Sequence, residues 1–159
     1  MRARVVLSRE ADCFDIRLLE LEVLAGTLEH PTERSARNAF RAASNLPVLA
    51  LCEDVSALTE ADPPATEEEA REHEVRARVA IAESRAFRQL GNFIVARRRA
   101  ETASEEAIAA GHAPTRAHAL YELAWAKDAE GNKTLAMATD EQFASGALSG
   151  HDDERVASS

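Results

Sequence analysis

The sequence predicts an all-α fold, a bundle of about five helices built around a long central helical pair. Hydrophobic residues make up 45% of the 159 residues but aromatic residues only 4%, so the core must be aliphatic and rich in alanine. Alanine has the highest helix propensity of all residues. Apolar residues also recur at helical spacing in several segments, and proline or glycine separates these segments. A chain of this length can bury about 68–70% of its unfolded surface in one core.

The first helix is predicted from about Ser8 to Gly26. Alternating spacings of four and three residues separate its apolar positions Leu7, Ala11, Phe14, Leu18, Leu21, Ala25 and Leu28. This pattern is typical of a helix stripe that faces a core. The same pattern also fits the coiled-coil interface of a homodimer, since heptads place apolar residues at these positions. Core packing is the favoured interpretation.

Prolines bound the next two predicted helices. The second helix covers Thr32 to Ser44 and ends before Leu46-Pro47, because the residue before a proline avoids the α conformation. Pro47 suits the first turn of a third helix, whose apolar stripe is Val48, Leu51, Val55 and Leu58. Two consecutive prolines make the region near 60–66 a linker. It separates an N-terminal three-helix part from a C-terminal helical part.

The long central pair is predicted at 66–90 and 93–110, separated by Gly91-Asn92. Gly91 either ends a helix or is a costly position inside one, at about 1 kcal/mol. A last helix is predicted from Pro114 to Gly131, and a β-hairpin over 117–138 is the alternative. Helix is favoured, because alanine, glutamate and lysine are poor strand formers. We expect residues 1–145 to form a single helical domain and residues 146–159 a flexible tail.

Charge is distributed unevenly along the chain. The whole protein has a formal net charge of −9, yet residues 76–99 contain seven arginines and a single acid, Glu83. That segment therefore carries +6 and the rest of the chain −15, the difference between −9 and +6. A localised basic helix in an acidic protein indicates a surface for an anionic partner, because most soluble surfaces mix both signs.

The candidate partner-binding residues are six arginines of this segment: Arg78, Arg85, Arg88, Arg97, Arg98 and Arg99. Arg85 and Arg88 have no acid four residues earlier on the helix, which a solvated surface with intrahelical ion pairs would supply. Their counter-ions must come from elsewhere in the chain, from another subunit or from a phosphate backbone. The indication for nucleic acid is weak, because no aromatic residue is interleaved to stack on bases.

The two cysteines, Cys13 and Cys52, are 39 positions apart and match no CxxC redox or zinc spacing. They are predicted to be small, reduced core residues. A reducing cytoplasm agrees with that prediction. We expect no membrane span, since no apolar run approaches the ~18 residues that crossing a bilayer requires.

Evidence for chemistry is sparse. Glu69 and His73 lie one helical turn apart and could share a metal ion. Helical bundles that bind two metal ions through carboxylates, however, repeat a Glu-x-x-His pattern that this chain lacks. His112, His118 and Glu122 could form an acid–base group in a small helical enzyme. Histidines near a helix start are more often surface residues, so we predict no catalytic, metal or cofactor site.

These observations predict a non-catalytic helical subunit of a larger assembly, or a homo-oligomer. Its arginine-rich surface would bind an acidic protein or a nucleic-acid backbone, as in a ribonucleoprotein or DNA-packaging complex. The alternative is a stand-alone acidic inhibitor or adaptor, of the kind that phages and mobile elements encode, which occupies a basic site. A small enzyme is the less favoured third hypothesis.

Overall fold

The computed structural model describes residues 2–60, 65–129 and 131. Six α-helices and one 3₁₀ helix follow one another: α1 (Arg2–Thr27), α2 (Glu33–Ser44), the 3₁₀ helix (Leu49–Glu53), α3 (Val55–Glu60), α4 (Glu68–Gln89), α5 (Phe93–Ala110) and α6 (Ala113–Ala129). No strand occurs in this part of the chain. The predicted all-α bundle is confirmed.

Local signals set several helix ends. The hydroxyl of Thr32 accepts a hydrogen bond from the Ser35 backbone N–H and so caps the start of α2. Gly91 has a φ of +85° and separates α4 from α5, which answers the question that the sequence left open. Gly111 ends α5 in the left-handed conformation with a φ of +65°. Glycine adopts positive φ without the steric cost that a Cβ atom brings.

Helices α4 and α5 form an antiparallel hairpin with an alanine-rich contact. His73 near the start of α4 contacts Glu106 near the end of α5, whereas Glu83 further along α4 contacts Arg99. One buried cluster fills the space between α4, α5 and α6, and its members are Ala77, Ala80, Ile81, Ala103, Ala107 and Ala119. Small side chains let the helix backbones approach closely.

Two further clusters pack α1, α2 and α6 onto this hairpin. Leu24 of α1, Ala42 of α2 and Leu90 after α4 form one cluster. The other joins α5 to α6 and consists of Ala96, Ala100, Leu123 and Ala126, with Phe87 against it. Helix α4 contacts α1, α2, α5 and α6, so it is the central helix of the bundle.

The interpretation of the α1 stripe as core is wrong. Leu7 is 65% exposed, Leu18 52% and Leu21 50%, and Ala11, Phe14 and Ala25 are exposed as well. The side of α1 that faces α4 instead carries Glu20 and Leu24, both buried. The helix is apolar on several sides, so periodicity alone could not identify the buried one. Glu20 forms a buried ion pair with Arg85 of α4, so the side of α1 that carries Glu20 faces the bundle.

Two predictions around the 3₁₀ helix are also wrong. The third helix predicted from Pro47 is a 3₁₀ helix followed by the short α3, and Val48, Leu51 and Val55 are exposed. The two cysteines are not free thiols, because Cys13 and Cys52 form a disulfide with their Cα atoms 5.5 Å apart. This bond ties α1 to the 3₁₀ helix.

For residues 113–129 the structure favours the helix over the hairpin. Three other predicted features lie outside the described residues: the part of the hairpin alternative beyond residue 131, the tail at 146–159, and most of the linker near 60–66. The division into one domain and a tail therefore stays a prediction.

Candidate functional site

A buried ion-pair network joins α1, α4 and α6 around Arg85. Arg85 Nη1 donates to Glu20 Oε1 on α1, and Arg85 Nε donates to Glu122 Oε1 on α6 at 3.0 Å. Glu20 Oε2 also accepts from Arg17 Nη1 at 2.6 Å. Both carboxylates are buried, and such groups need charged partners to offset their desolvation. Arg85 is therefore the residue that joins three helices.

Arg88, one turn further along α4, completes this network. Its Nη2 donates to Glu122 Oε2 at 3.1 Å. Its guanidinium carbon also lies 5.3 Å from the ring centroid of Trp125, a cation–π distance. Glu122 is fully buried, and its two carboxylate oxygens pair with different arginines, one with Arg85 and the other with Arg88.

Arg78 is held by a separate buried acid. Arg78 Nη2 donates to Glu74 Oε1 at 2.5 Å, and Glu74 Oε2 accepts from the Ala65 backbone N–H at 3.0 Å. The Nδ1 atom of His112 lies 3.4 Å from Glu74 Oε1. Three of the six predicted partner-binding arginines are thus held by buried acids: Arg85 and Arg88 pair with acids of other helices, and Arg78 pairs with an acid of α4 itself. Whether they also bind a partner stays a prediction.

The other three predicted arginines lie together on the first two turns of α5. Arg97 pairs with Glu101 at 2.6 Å, and Arg99 pairs with Glu83 at 3.3 Å. Arg98 is exposed and its guanidinium has no ion-pair partner among the described residues. Surface pairs of this kind contribute little to stability, about 0–1 kcal/mol. Arg98 and Arg99 are exposed, whereas Arg97 is partly buried.

Two of the predicted acid–base residues line one pocket of about 160 Å³ between α1, α4 and α6. His118 Nε2 accepts from Arg85 Nη2 at 2.6 Å. Desolvation by the packed helices and, after it, the adjacent Arg85 charge lower the pKa of the His118 imidazole, although the residue as a whole is exposed. His112 Nδ1 lies 2.8 Å from Thr115 Oγ1.

The third acid–base candidate, Glu122, is not in that pocket lining, and both its oxygens are taken by arginines. A general base needs a free lone pair within reach of a substrate proton. The structure therefore gathers His112, His118 and Glu122 near one another as parts of ion-pair networks.

One member of the suggested metal pair, His73, is engaged in another contact. His73 Nδ1 lies 2.7 Å from Glu106 Oε2, and Arg76 Nε donates to the same oxygen at 2.9 Å. These two bonds lower the pKa of the Glu106 carboxyl, the histidine bond more than the arginine bond. Glu69 is exposed. Within the described ranges, no three metal-ligating side chains lie close enough to hold an ion.

The most unusual surface is on α1 and is here called the α1 seam: Leu7, Ala11, Phe14, Leu18, Leu21 and Ala25. Leu7 and Ala25 are 18 positions apart, so the seam is about 27 Å long. Exposed apolar residues scattered singly are ordinary, whereas a contiguous line of them is unusual on the surface of a monomer. The seam occupies every a and d position of this stretch of α1.

Sequence reasoning missed the two acids that hold Arg85. Glu20 lies 65 positions from Arg85, and Glu122 lies 37 positions from it. One signal was available for Glu20, which stands between Leu19 and Leu21 in a strongly apolar helix. A glutamate in such a setting needs a cation if that side of the helix is buried.

No protein family, curated protein or solved structure matches this chain. None of the described helices is both long enough and apolar enough to cross a bilayer.

Proposed function

We propose that this protein is a non-catalytic helical subunit that assembles with another protein through the α1 seam. The observation that carries the proposal is the exposure of an uninterrupted heptad line on a 26-residue helix. A helix with this pattern gains hydrophobic burial only when a partner covers it. The opposite side of α1 is already used, since Glu20 and Leu24 face the bundle.

The test separates an interaction surface from a core. Leu18→Glu combined with Leu21→Glu should change the free energy of unfolding by less than about 1 kcal/mol, because exposed substitutions each cost within about 0.5 kcal/mol. The same variant should lose the complexes that cross-linking in the source cells recovers with the wild-type protein. Urea unfolding and mass-resolved cross-linking are the two measurements.

Ile108→Glu is the matched control, because Ile108 is 58% exposed on α5, outside the seam. It should keep every complex. Retention of all complexes by the seam variant, or their equal loss in the Ile108 variant, would contradict assembly through α1.

A second candidate function is the binding of an anionic partner by Arg97, Arg98 and Arg99. It is supported by the position of three consecutive arginines at the start of α5, with Arg98 exposed. The partner would be an acidic protein or a nucleic-acid backbone, contacted through phosphates without sequence readout. The net charge of −9 opposes long-range attraction to nucleic acid, so such binding suits a larger complex.

Fluorescence anisotropy with labelled RNA and DNA at several salt concentrations tests this second function. If these arginines bind phosphate, the affinity falls steeply with salt. Arg98→Glu should then weaken binding at least tenfold, whereas Arg116→Glu, an exposed arginine on α6, should leave it within twofold. Equal effects of the two variants would show non-specific attraction and would exclude a dedicated arginine site.

The cytoplasmic location also stays a prediction, and it has lost one of its supports. It rested partly on reduced cysteines, whereas Cys13 and Cys52 are joined. Disulfides persist mainly in oxidising compartments and are rare in the cytosol. The acidic inhibitor or adaptor hypothesis does not depend on the compartment, and it agrees with the charge around the α1 seam.

A further inference from the structure

The charges that α1 itself presents beside the seam are mostly negative. Arg71 and Arg78 of α4 line a pocket with Asp12 and Asp15, but both arginines pair with glutamates of their own helix. Asp15 and Glu22 border it at the e positions of the heptads, and Asp12 lies next to them. All three carboxylates are exposed, and none has a hydrogen-bond or ion-pair partner in the described part of the chain. Glu10 borders the other side of the seam. The nearby Arg17 contributes little positive charge there, because it pairs with Glu20 at 2.6 Å.

A second copy of this chain is a poor occupant of the seam. In a parallel pair, a g residue faces the e residue five positions along the other helix, which places Glu10 against Asp15. The same rule places Arg17 against Glu22, but Arg17 is already paired with Glu20 of its own helix. In an antiparallel pair, e positions face e positions, which brings Asp15 and Glu22 of the two copies together. Like charges that face one another across an interface disfavour that pairing.

From this charge pattern we infer that the α1 seam binds an amphipathic helix of another protein, with apolar residues at a and d and with lysine or arginine beside them. This inference rests on the proposed function. The partner's apolar side would cover Leu7, Phe14, Leu18 and Leu21 over a length of about 27 Å. Its basic residues would lie within reach of Asp15 and Glu22 on one side and Glu10 on the other. Helix-in-groove and coiled-coil recognition both work in this way.

The inferred recognition has two separable parts. The apolar line supplies the affinity, since burial of leucine and phenylalanine side chains drives association. The acidic borders supply the choice of partner, since they attract a basic helix and repel an acidic one. A partner that satisfies only one of the two parts should bind weakly.

Three labelled peptides of about 24 residues test the inference on the full chain by fluorescence anisotropy. The first has leucine at a and d with lysine and arginine at e and g. The second has the same leucines with glutamate at e and g. The third has the composition of the first with its heptads scrambled. We expect the first peptide to bind at least tenfold more tightly than either of the others, and more weakly as salt rises from 50 to 500 mM.

Variants then locate the binding. Leu18→Glu with Leu21→Glu should abolish binding of the first peptide, and Ile108→Glu should leave its affinity within twofold. Asp15→Lys with Glu22→Lys should reverse the preference between the basic and acidic peptides. That reversal cannot come from the net charge of the protein alone, since the double variant still carries a charge of about −5.

Each contrary outcome has a distinct meaning. Equal binding of the basic and acidic peptides, or a dimer that Leu18→Glu dissociates in sedimentation velocity, would overturn the basic partner and leave assembly through the seam intact. Equal binding of the scrambled basic peptide would show attraction by net charge only and would also overturn the inference. Failure of the proposed function would appear differently, as complexes that the seam variant retains in the cross-linking experiment.

Discussion

Replacement of Glu122 by glutamine should lower the free energy of unfolding by about 3 kcal/mol. The fully buried Glu122 carboxylate is shared by Arg85 and Arg88, and glutamine keeps its shape but removes its charge. Removal of one partner from a buried ion pair costs about 3–5 kcal/mol, because the remaining charge is left uncompensated. The arginine side chains are 17% and 20% exposed, so some water screening places the effect near the lower end. Urea unfolding at pH 7 measures it.

Glu105→Gln is the control for this experiment, because Glu105 is an exposed acid on α5. It should change the free energy of unfolding by less than about 0.5 kcal/mol. A second check is the double variant Glu122→Leu with Arg88→Met, which should cost less than the sum of its two single changes. A loss below about 1 kcal/mol in Glu122→Gln would show that the network is solvated and does not hold the three helices together.

The second large effect is expected from Cys13→Ser, which should destabilise the protein by about 2–4 kcal/mol. The Cys13–Cys52 disulfide closes a loop of 39 residues in the unfolded chain. The chain-entropy relation gives about 4 kcal/mol for a loop of that size, and measured values are often smaller. The bond also holds the 3₁₀ helix, whose Leu49 and Leu51 are exposed, against α1. Urea unfolding with and without dithiothreitol is the measurement.

Wild-type protein in dithiothreitol should unfold at the same lower urea concentration as Cys13→Ser. The single variant leaves a free thiol at Cys52, so the double variant Cys13→Ser with Cys52→Ser is the control. Its free energy of unfolding should be close to that of the single variant. Two titratable thiols in the folded, unreduced protein would show that the bond does not form. Unfolding of the wild type that is independent of dithiothreitol would show that the bond does not stabilise the fold.

The positions of most helices could be predicted from nearby residues. Thr32 caps α2 and Gly111 ends α5, and in both cases the signal lies within a few residues of the helix end. The arginine-rich composition of α4 and the start of α5 was equally plain, as was the lack of local acids for Arg85 and Arg88. Periodicity and propensity report such features because they depend on contacts between residues three or four positions apart.

The candidate site depended on contacts between residues far apart in the chain. Three of the six predicted arginines turned out to hold buried acids, and those acids lie on α1, on α6 and one turn earlier on α4. Local spacing could supply Glu74 for Arg78, but no local pattern pairs Glu20 with Arg85 across 65 positions. The α1 seam, which we propose as a docking surface, was visible in the sequence as an apolar stripe, but helical periodicity alone assigned it to the core.

Local residue patterns determine three features of this protein: its helix content, the ends of its helices, and the separation of a basic segment from an acidic remainder. These patterns are properties of the sequence and do not depend on how the helices pack. The exposed side of α1, the Cys13–Cys52 bond and the counter-ions of Arg85 follow from packing. Several sides of α1 are apolar enough to be buried, so hydrophobicity alone does not choose among them. The choice depends on Glu20, because its carboxylate can be buried against the bundle only where Arg17 and Arg85 offset its charge.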